Sequence, residues 1–214
     1  MKILYVTANP KPEEMSYSLQ VGRAFIQAIQ TASPNATVTE LNLYTNPVPE
    51  IDGDVLAAWG ALQNGTAFTD LTSEQQAKVG GMGAALEQFL AADRVVFATP
   101  MWNFGFPPRF KNFIDAIVSA GRTFKYTEKG PIGLVTGKKA VHIHAAGGVH
   151  SDGPFKFAAE HLKGVLGFIG LTDLETIWVE GVAYGPEQAE VAKDAAIAKA
   201  KALVNDFLSD SVLV

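Results

Sequence analysis

Three short stretches carry residue types suited to binding chemistry. Ser16 and Ser18 stand where a proline-rich loop, Ala8 to Met15, runs into a helical pattern. Their hydroxyls, the free amides of Tyr17, Ser18 and Leu19 and the positive end of the helix dipole together would hold a phosphate without a lysine. Ser16 alone reads first as a helix N-cap, and the second serine two residues on turns the reading towards a phosphate. The second stretch is Pro100-Met101-Trp102-Asn103-Phe104-Gly105-Phe106-Pro107-Pro108, with three aromatics and three prolines in nine residues. It makes poor core and poor linker, because exposed aromatics cost solubility while prolines and a glycine hold backbone in defined irregular shapes. Met101 to Phe104 would offer backbone donors and the Asn103 amide to the polar edge of a flat ring, with Phe104 beside its face. The third stretch, Gly147-Gly148, lets backbone approach a planar ring where a Cβ would collide, and it is also an ordinary turn sequence.

For these stretches to meet, strands must end beside them. Lys2 to Thr7, Thr37 to Leu43, Arg94 to Thr99, Lys139 to Ala145 and Leu174 to Val179 read as strands. Helical spacing follows Leu19 through Val21, Phe25, Ile26 and Ile29, and a short helix is expected around Val55 to Trp59. Ser73 with Gln76 makes a capping box for a helix to about Ala91, whose weak middle, Gly80-Gly81-Met82-Gly83, suggests close packing there. Phe106-Pro107-Pro108 is a rigid stop that starts a helix to about Ala120. Later helices run from beyond Pro154 to Phe168 and from Pro186 to Leu208. Thr123 to Tyr126 is short and β-like, with Gly130-Pro131 breaking it. Five strands alternating with helices predict an α/β chain, a doubly wound parallel sheet with helices on both faces, in a single domain over 1–214. Open sheets of this kind bind ligands beyond the carboxyl ends of their strands, and the three stretches follow the first, third and fourth. A mononucleotide with a planar head, FMN, fits such a cleft.

Motifs for other chemistries are missing. The first loop reads Ala8-Asn9-Pro10-Lys11 where a dinucleotide fold needs G-x-G-x-x-G, and neither a P-loop nor G-x-S-x-G occurs. A phosphate-accepting Asp is absent after the third strand, where Thr99-Pro100 stands. His142 and His144 share one strand face and read as satisfied core or rim histidines, with no third ligand spaced for a metal. His150 reads as a loop residue within reach of cofactor or substrate, Glu40 and Asp52 as surface or turn residues, and Lys193 to Lys201 as a solvated helix face. Hydrophobic residues at 48% with 18% charged describe a folded chain, and the net charge of −5 without a basic block argues against nucleic acid or anionic membrane as partner. No run is long enough to span a membrane, and Met1 to Tyr5 leads into a strand rather than a signal peptide. With no cysteine there are no disulfides, thiolate metal sites or cysteine nucleophiles, so redox chemistry needs a bound cofactor, and a cytoplasmic location is expected.

Taken together, Ser16-x-Ser18, Pro-Met-Trp-Asn-Phe at 100–104, Thr-Phe-Lys-Tyr-Thr-Glu-x-Gly-Pro at 123–131, Gly-Gly with Asp-Gly-Pro at 147–154 and Gly-Val-Ala-Tyr-Gly-Pro at 181–186 occur in one order. In that order the chain resembles the FMN-dependent NADH:quinone oxidoreductase and azoreductase family over nearly its whole length. The resemblance implies a flavodoxin-like sheet of order 2-1-3-4-5 and a homodimer with FMN at the subunit interface. It also implies a ping-pong cycle in which NADH or NADPH passes a hydride to the flavin N5 and a quinone or azo compound is then reduced. By match to family positions, Asn9, Ser16, Tyr17, Ser18, Pro100, Met101, Trp102, Asn103, Phe104, Ala145, Ala146, Gly147 and Gly148 bind FMN. Phe104, Tyr126 and Phe168 face the substrate, although Phe168 in its apolar helical run reads first as core. The chain departs from the family at Asn9, where serine is common, and at Ala145-Ala146, where Ser-Arg is common. The alternative reading is a flavodoxin-type electron carrier without a nicotinamide site.

Overall fold

In the computed structural model, which describes residues 1–210, alternate residues of the central strands face opposite ways and build two cores. In β1 (Lys2–Thr7) Leu4 and Val6 join one core and Ile3 and Tyr5 the other. In β3 (Arg94–Pro100) Val95 and Phe97 oppose Val96 and Ala98 in the same way. With β2 (Thr37–Asn42), β6 (Lys139–Ala145) and β7 (Asp173–Val179) they form a parallel five-stranded sheet of order β2-β1-β3-β6-β7. Numbered among themselves, these strands run 2-1-3-4-5, as expected. On the Phe97 side pack residues of α2 (Gly53–Gln63), α3 (Ser73–Ala91), α4 (Pro108–Ile117) and α5 (Phe157–Phe168). On the Tyr5 side pack α1 (Tyr17–Ala32) and α6 (Pro186–Leu208). Phe89, Phe97, Phe110 and Phe113 interlock through edge and stacked contacts at the centre of the first core. Truncating any one of these buried rings to alanine would cost about 3–5 kcal/mol.

Two local expectations change. The cap of α3 is Thr72 rather than Ser73, boxed with Gln75 rather than Gln76. Both frames exist in the sequence, and the observed one frees Gln76 Nε2 to donate to the Thr69 and Leu71 carbonyls. Gly130-Pro131 does not end the β-like stretch but opens its return strand: β4 (Phe124–Thr127) pairs antiparallel with β5 (Gly130–Gly133), with Pro131 opposite Tyr126. Proline is tolerated because this two-stranded hairpin is all edge. Gly133 seats the hairpin on the end of α5, since a Cβ there would stand 2.2 Å from the Gly170 amide. Asp52, expected at the surface or in a turn, stands just before α2 and caps it through the Val55 amide at 3.0 Å, pairing also with Lys78 at 2.7 Å. Glu40 likewise pairs with Arg23 at 2.9 Å. Of the glycines in α3, Gly81 is the closely packed one, its missing Cβ 3.0 Å from Pro49 Cγ. Among the described residues no helix is long and apolar enough to cross a membrane.

Candidate functional site

The entrance to α1 is built around hydroxyls. Asn9, Ser16 and Ser18 are all buried. Asn9 Nδ2 donates to Ser16 Oγ at 2.8 Å, and the two serine hydroxyls lie 3.3 Å apart. Ser16 also caps the helix, accepting from the Leu19 amide at 3.4 Å. Helix geometry leaves the Tyr17 and Ser18 amides without an intrahelical acceptor. Three polar side chains, two free amides and the positive end of a 16-residue helix thus converge. An anion suits such a place. Beside it opens a cavity of about 310 Å³, at the lower end for ligand pockets. Asn9, Ser16, Tyr17, Ser18, Pro100, Met101, Trp102, Ala145 and Gly147 line it, together with Lys11, Met15, Val182 and Ala183.

The aromatic loop is a tight hairpin. Trp102 and Gly105 exchange backbone hydrogen bonds at 3.1 and 2.9 Å, and Asn103 and Phe104 between them both have positive φ, 49° and 64°. Two left-handed central residues are what a tight hairpin turn of this hand requires. Asn tolerates that region, whereas Phe104 is strained there by about 1–2 kcal/mol. The strain swings Phe104 away from the cavity: it stacks on Phe155 at 4.9 Å and lies in a neighbouring hollow with Phe106, Lys111, Phe157 and His161. Asn103 is exposed at the turn tip. Trp102 stays on the cavity side, its ring against the edge of Tyr44 at 6.4 Å. The Arg109 guanidinium in turn covers Tyr44 at 4.8 Å. Pro108 occupies the first turn of α4, so Phe106-Pro107-Pro108 is the expected stop.

The end of β6 and the loop after it divide the expected residues. Ala145 and Gly147 line the cavity, whereas Ala146 is buried and Gly148 does not line it. A Cβ on Gly148 would stand 2.9 Å from His150 Nε2, so the glycine makes room for a protein ring. The loop is pinned by the segment after β7: Gly181 donates to Gly148 at 3.1 Å and Ala183 to Gly147 at 3.0 Å. Glu180 Oε1 accepts from the His150 and Ser151 amides at 2.6 and 2.8 Å. His150 also meets the edge of Phe104 at 5.8 Å.

Tyr126 and Phe168 stand outside the cavity of their own chain. Tyr126 is 75% exposed on the hairpin, and Phe168, expected as core, is 40% exposed with its ring 4.8 Å from Phe124. Among the described residues no cluster of His, Asp and Glu side chains is arranged to hold a metal ion.

A family described as having the flavodoxin-like fold matches residues 1–204. An FMN-dependent NADH:quinone oxidoreductase of Bacillus thuringiensis subsp. konkukian (strain 97-27) is 50% identical over 209 residues, 96% of this chain and 99% of that one. The chain belongs to the FMN-dependent NADH:quinone oxidoreductase family. Among solved structures, an azoreductase from Bacillus anthracis str. Sterne superposes with a TM-score of 0.87 at 37% identity, covering 96% of this chain and 99% of that one. An FMN-dependent NADH-azoreductase from Bacillus anthracis str. Ames Ancestor, solved in complex with FMN, gives 0.86 at 32% identity, covering 95% and 99%.

Within this oxidoreductase family fold, sequence reasoning missed four residues lining the cavity: Lys11, Met15, Val182 and Ala183. Lys11 is its one charged lining residue among those described, and it sits in the same short loop as Asn9. Val182 and Ala183 follow the carboxyl end of β7, so the rule that led to the other loops pointed to them as well. Nothing local marks Tyr44, which reaches Trp102 only through the fold.

Proposed function

We infer that the cavity is an FMN site and that the chain is an NAD(P)H-dependent reductase of quinones and azo compounds, acting in a doubly wound single domain over 1–214. The observation that carries the reading is the convergence of the Asn9–Ser16–Ser18 cradle and the Pro100–Trp102 wall on one cavity. In this reading the three side chains and the amides of Tyr17 and Ser18 hold the phosphate, and Lys11 balances its charge. Pro100, Met101 and Trp102 form one wall of the ring site, Ala145 and Gly147 its floor, and Asn103 reads the polar edge. Bound there, FMN supplies the redox chemistry, a two-electron ping-pong exchange of hydride at N5 between NADH or NADPH and the acceptor. The protein positions the rings and excludes competing contacts.

The reading includes a homodimer in the cytoplasm. Its support is the exposed pair Tyr126 and Phe168, each packed against the buried Phe124 ring and neither lining the cavity of its own chain. A second copy laid over the cleft gives these rings a planar partner. The deciding experiment purifies the protein, records its flavin absorbance and follows NADH oxidation with and without a quinone. A colourless protein that FMN cannot reconstitute defeats the reading. A yellow one inert to both nicotinamides is an electron carrier instead.

A further inference from the structure

His142 and His144 lie on one side of β6, both rings fully buried. They share one partner. The Thr99 hydroxyl stands 2.8 Å from His142 Nε2 and 3.0 Å from His144 Nδ1. A hydroxyl has a single proton, so it donates to one imidazole and accepts from the other. The result is a neutral hydrogen-bonded chain whose ends, His142 Nδ1 and His144 Nε2, have no protein partner among the described residues. The expectation of satisfied histidines is therefore half met. Two polar atoms left unpaired in a core carry a desolvation cost that aliphatic side chains would avoid, and such atoms ask for a role.

The register supplies one. Thr99 and His144 are direct partners across β3 and β6, and the next pair is Pro100 with Ala145. There the Met101 amide donates to the Ala145 carbonyl at 2.7 Å. Pro100, Met101 and Ala145 all line the cavity. The imidazole–hydroxyl chain is thus the side-chain fastening just beneath the point where the two strands part around the cleft. Phe106 lies over both rings at 5.9 and 6.1 Å, and Trp178 closes on His144 at 5.1 Å, so the chain is sealed from water.

We propose that Thr99, His142 and His144 are positioning residues for the ring-binding end of the cleft, fixing the separation of the β3 and β6 loops. The proposal rests on the reading of the cavity as a flavin site. A proton on either ring would be a buried charge. The ionisable groups around them are His150 on the glycine loop, His161 on α5 across Phe106, and Lys111 on α4, which is paired with Asp115 at 2.5 Å. None of these groups is a free anion, so nothing nearby compensates a charge on the buried pair. Burial holds the His144 ring down at about 4, and it holds His142 well below the usual value too. The pair is uncharged near neutral pH, and the buried charge weakens the fastening as pH falls towards that value.

The test compares Thr99→Val, which keeps the shape and removes both bonds, with Thr99→Ser, which keeps the hydroxyl. FMN dissociation constants come from quenching of flavin fluorescence, and hydrogen exchange of the Met101 amide is followed by NMR in the cofactor-free protein. Thr99→Val is expected to weaken FMN binding about tenfold and to speed Met101 exchange at least as much relative to β1 amides, with Thr99→Ser restoring both. His144→Asn, which replaces Nδ1 by an amide that does not titrate, is expected to keep FMN at acid pH where the wild type releases it. Wild-type affinity and exchange in Thr99→Val overturn the proposal, as does an unchanged acid profile in His144→Asn. A wild type that never binds FMN defeats the cofactor reading alone, and Met101 exchange then decides the positioning claim.

Discussion

Single side chains at the mouth of α1 do two jobs at once. Ser16 caps the helix and faces the cavity, so its loss acts on stability and on ligand affinity together. Removing charge-assisted hydrogen bonds worth about 1.5–3 kcal/mol each, Ser16→Ala with Ser18→Ala is expected to weaken FMN binding by more than about 100-fold. The lost cap costs about 1 kcal/mol more in stability, so thermal melts of the cofactor-free protein separate the two effects. Lys11→Ala acts through charge alone, with a loss of roughly threefold that shrinks as salt is raised. Titration of the buried histidines adds a pH dependence of opposite kind to that of a salt-bridged histidine. Because the fold prefers the neutral His144 ring, lowered from 6.5 to about 4, the unfolded chain takes up its proton first as pH falls. Stability from this group is full above about 6.5 and drains away between there and about 4, a slope that urea melts across that range would measure and His144→Asn would flatten.

At the scale of elements, the strands set where the loops emerge and the joints between elements keep them there. The β4–β5 hairpin carries Tyr126, and its seat is the meeting of Gly133 with Gly170, which has φ of 99°. Gly133→Ala forces a methyl onto that backbone. The expected cost is about 1–3 kcal/mol, read as a Tm lower by roughly 4–10 °C. If the hairpin presents Tyr126 to the acceptor, kcat/KM for a quinone falls further than stability does. The capping box of α3 shows what spacing alone leaves open. Thr72-x-x-Gln75 and Ser73-x-x-Gln76 are equivalent patterns, and the choice follows from carbonyls at Thr69 and Leu71 that only Gln76 can reach. In the same way Gly130-Pro131 looks like a break until Gly130, at φ 107°, turns the chain back onto β4.

At the scale of the molecule, the cleft is lined from one side by its own chain, while Tyr126 and Phe168 sit exposed elsewhere on the surface. The proposed dimer is tested by light scattering at micromolar concentration. A monomer that binds FMN and turns over at full rate overturns it. With the dimer present, Tyr126→Ser together with Phe168→Ser is expected to lower kcat/KM for quinones roughly tenfold with FMN affinity changed less than threefold, because aromatic contacts contribute about 1 kcal/mol each.

The strands were legible because hydrophobic runs bounded by turn residues are local signals, and the family resemblance supplied their order. So were the helix stop at Pro107-Pro108 and the hydroxyls of Ser16 and Ser18, which are neighbours in the chain. The aromatic loop and Gly147-Gly148 stood out by residue type, and family resemblance added Asn9, Ala145, Ala146, Tyr126 and Phe168. Only the tertiary structure decided which of them share a cavity. The bend after β6 puts Ala145 and Gly147 on the cavity and Ala146 and Gly148 off it, and a left-handed turn carries Phe104 off to Phe155. Lys11, Val182 and Tyr44 join the site from loops whose approach depends on how sheet and helices pack. Thr99, His142 and His144 are the extreme case: two histidines on one strand look like ordinary core until a neighbouring strand brings a single hydroxyl between them. Periodicity is written along the chain, but adjacency across strands is set by packing, and this cleft is made of both.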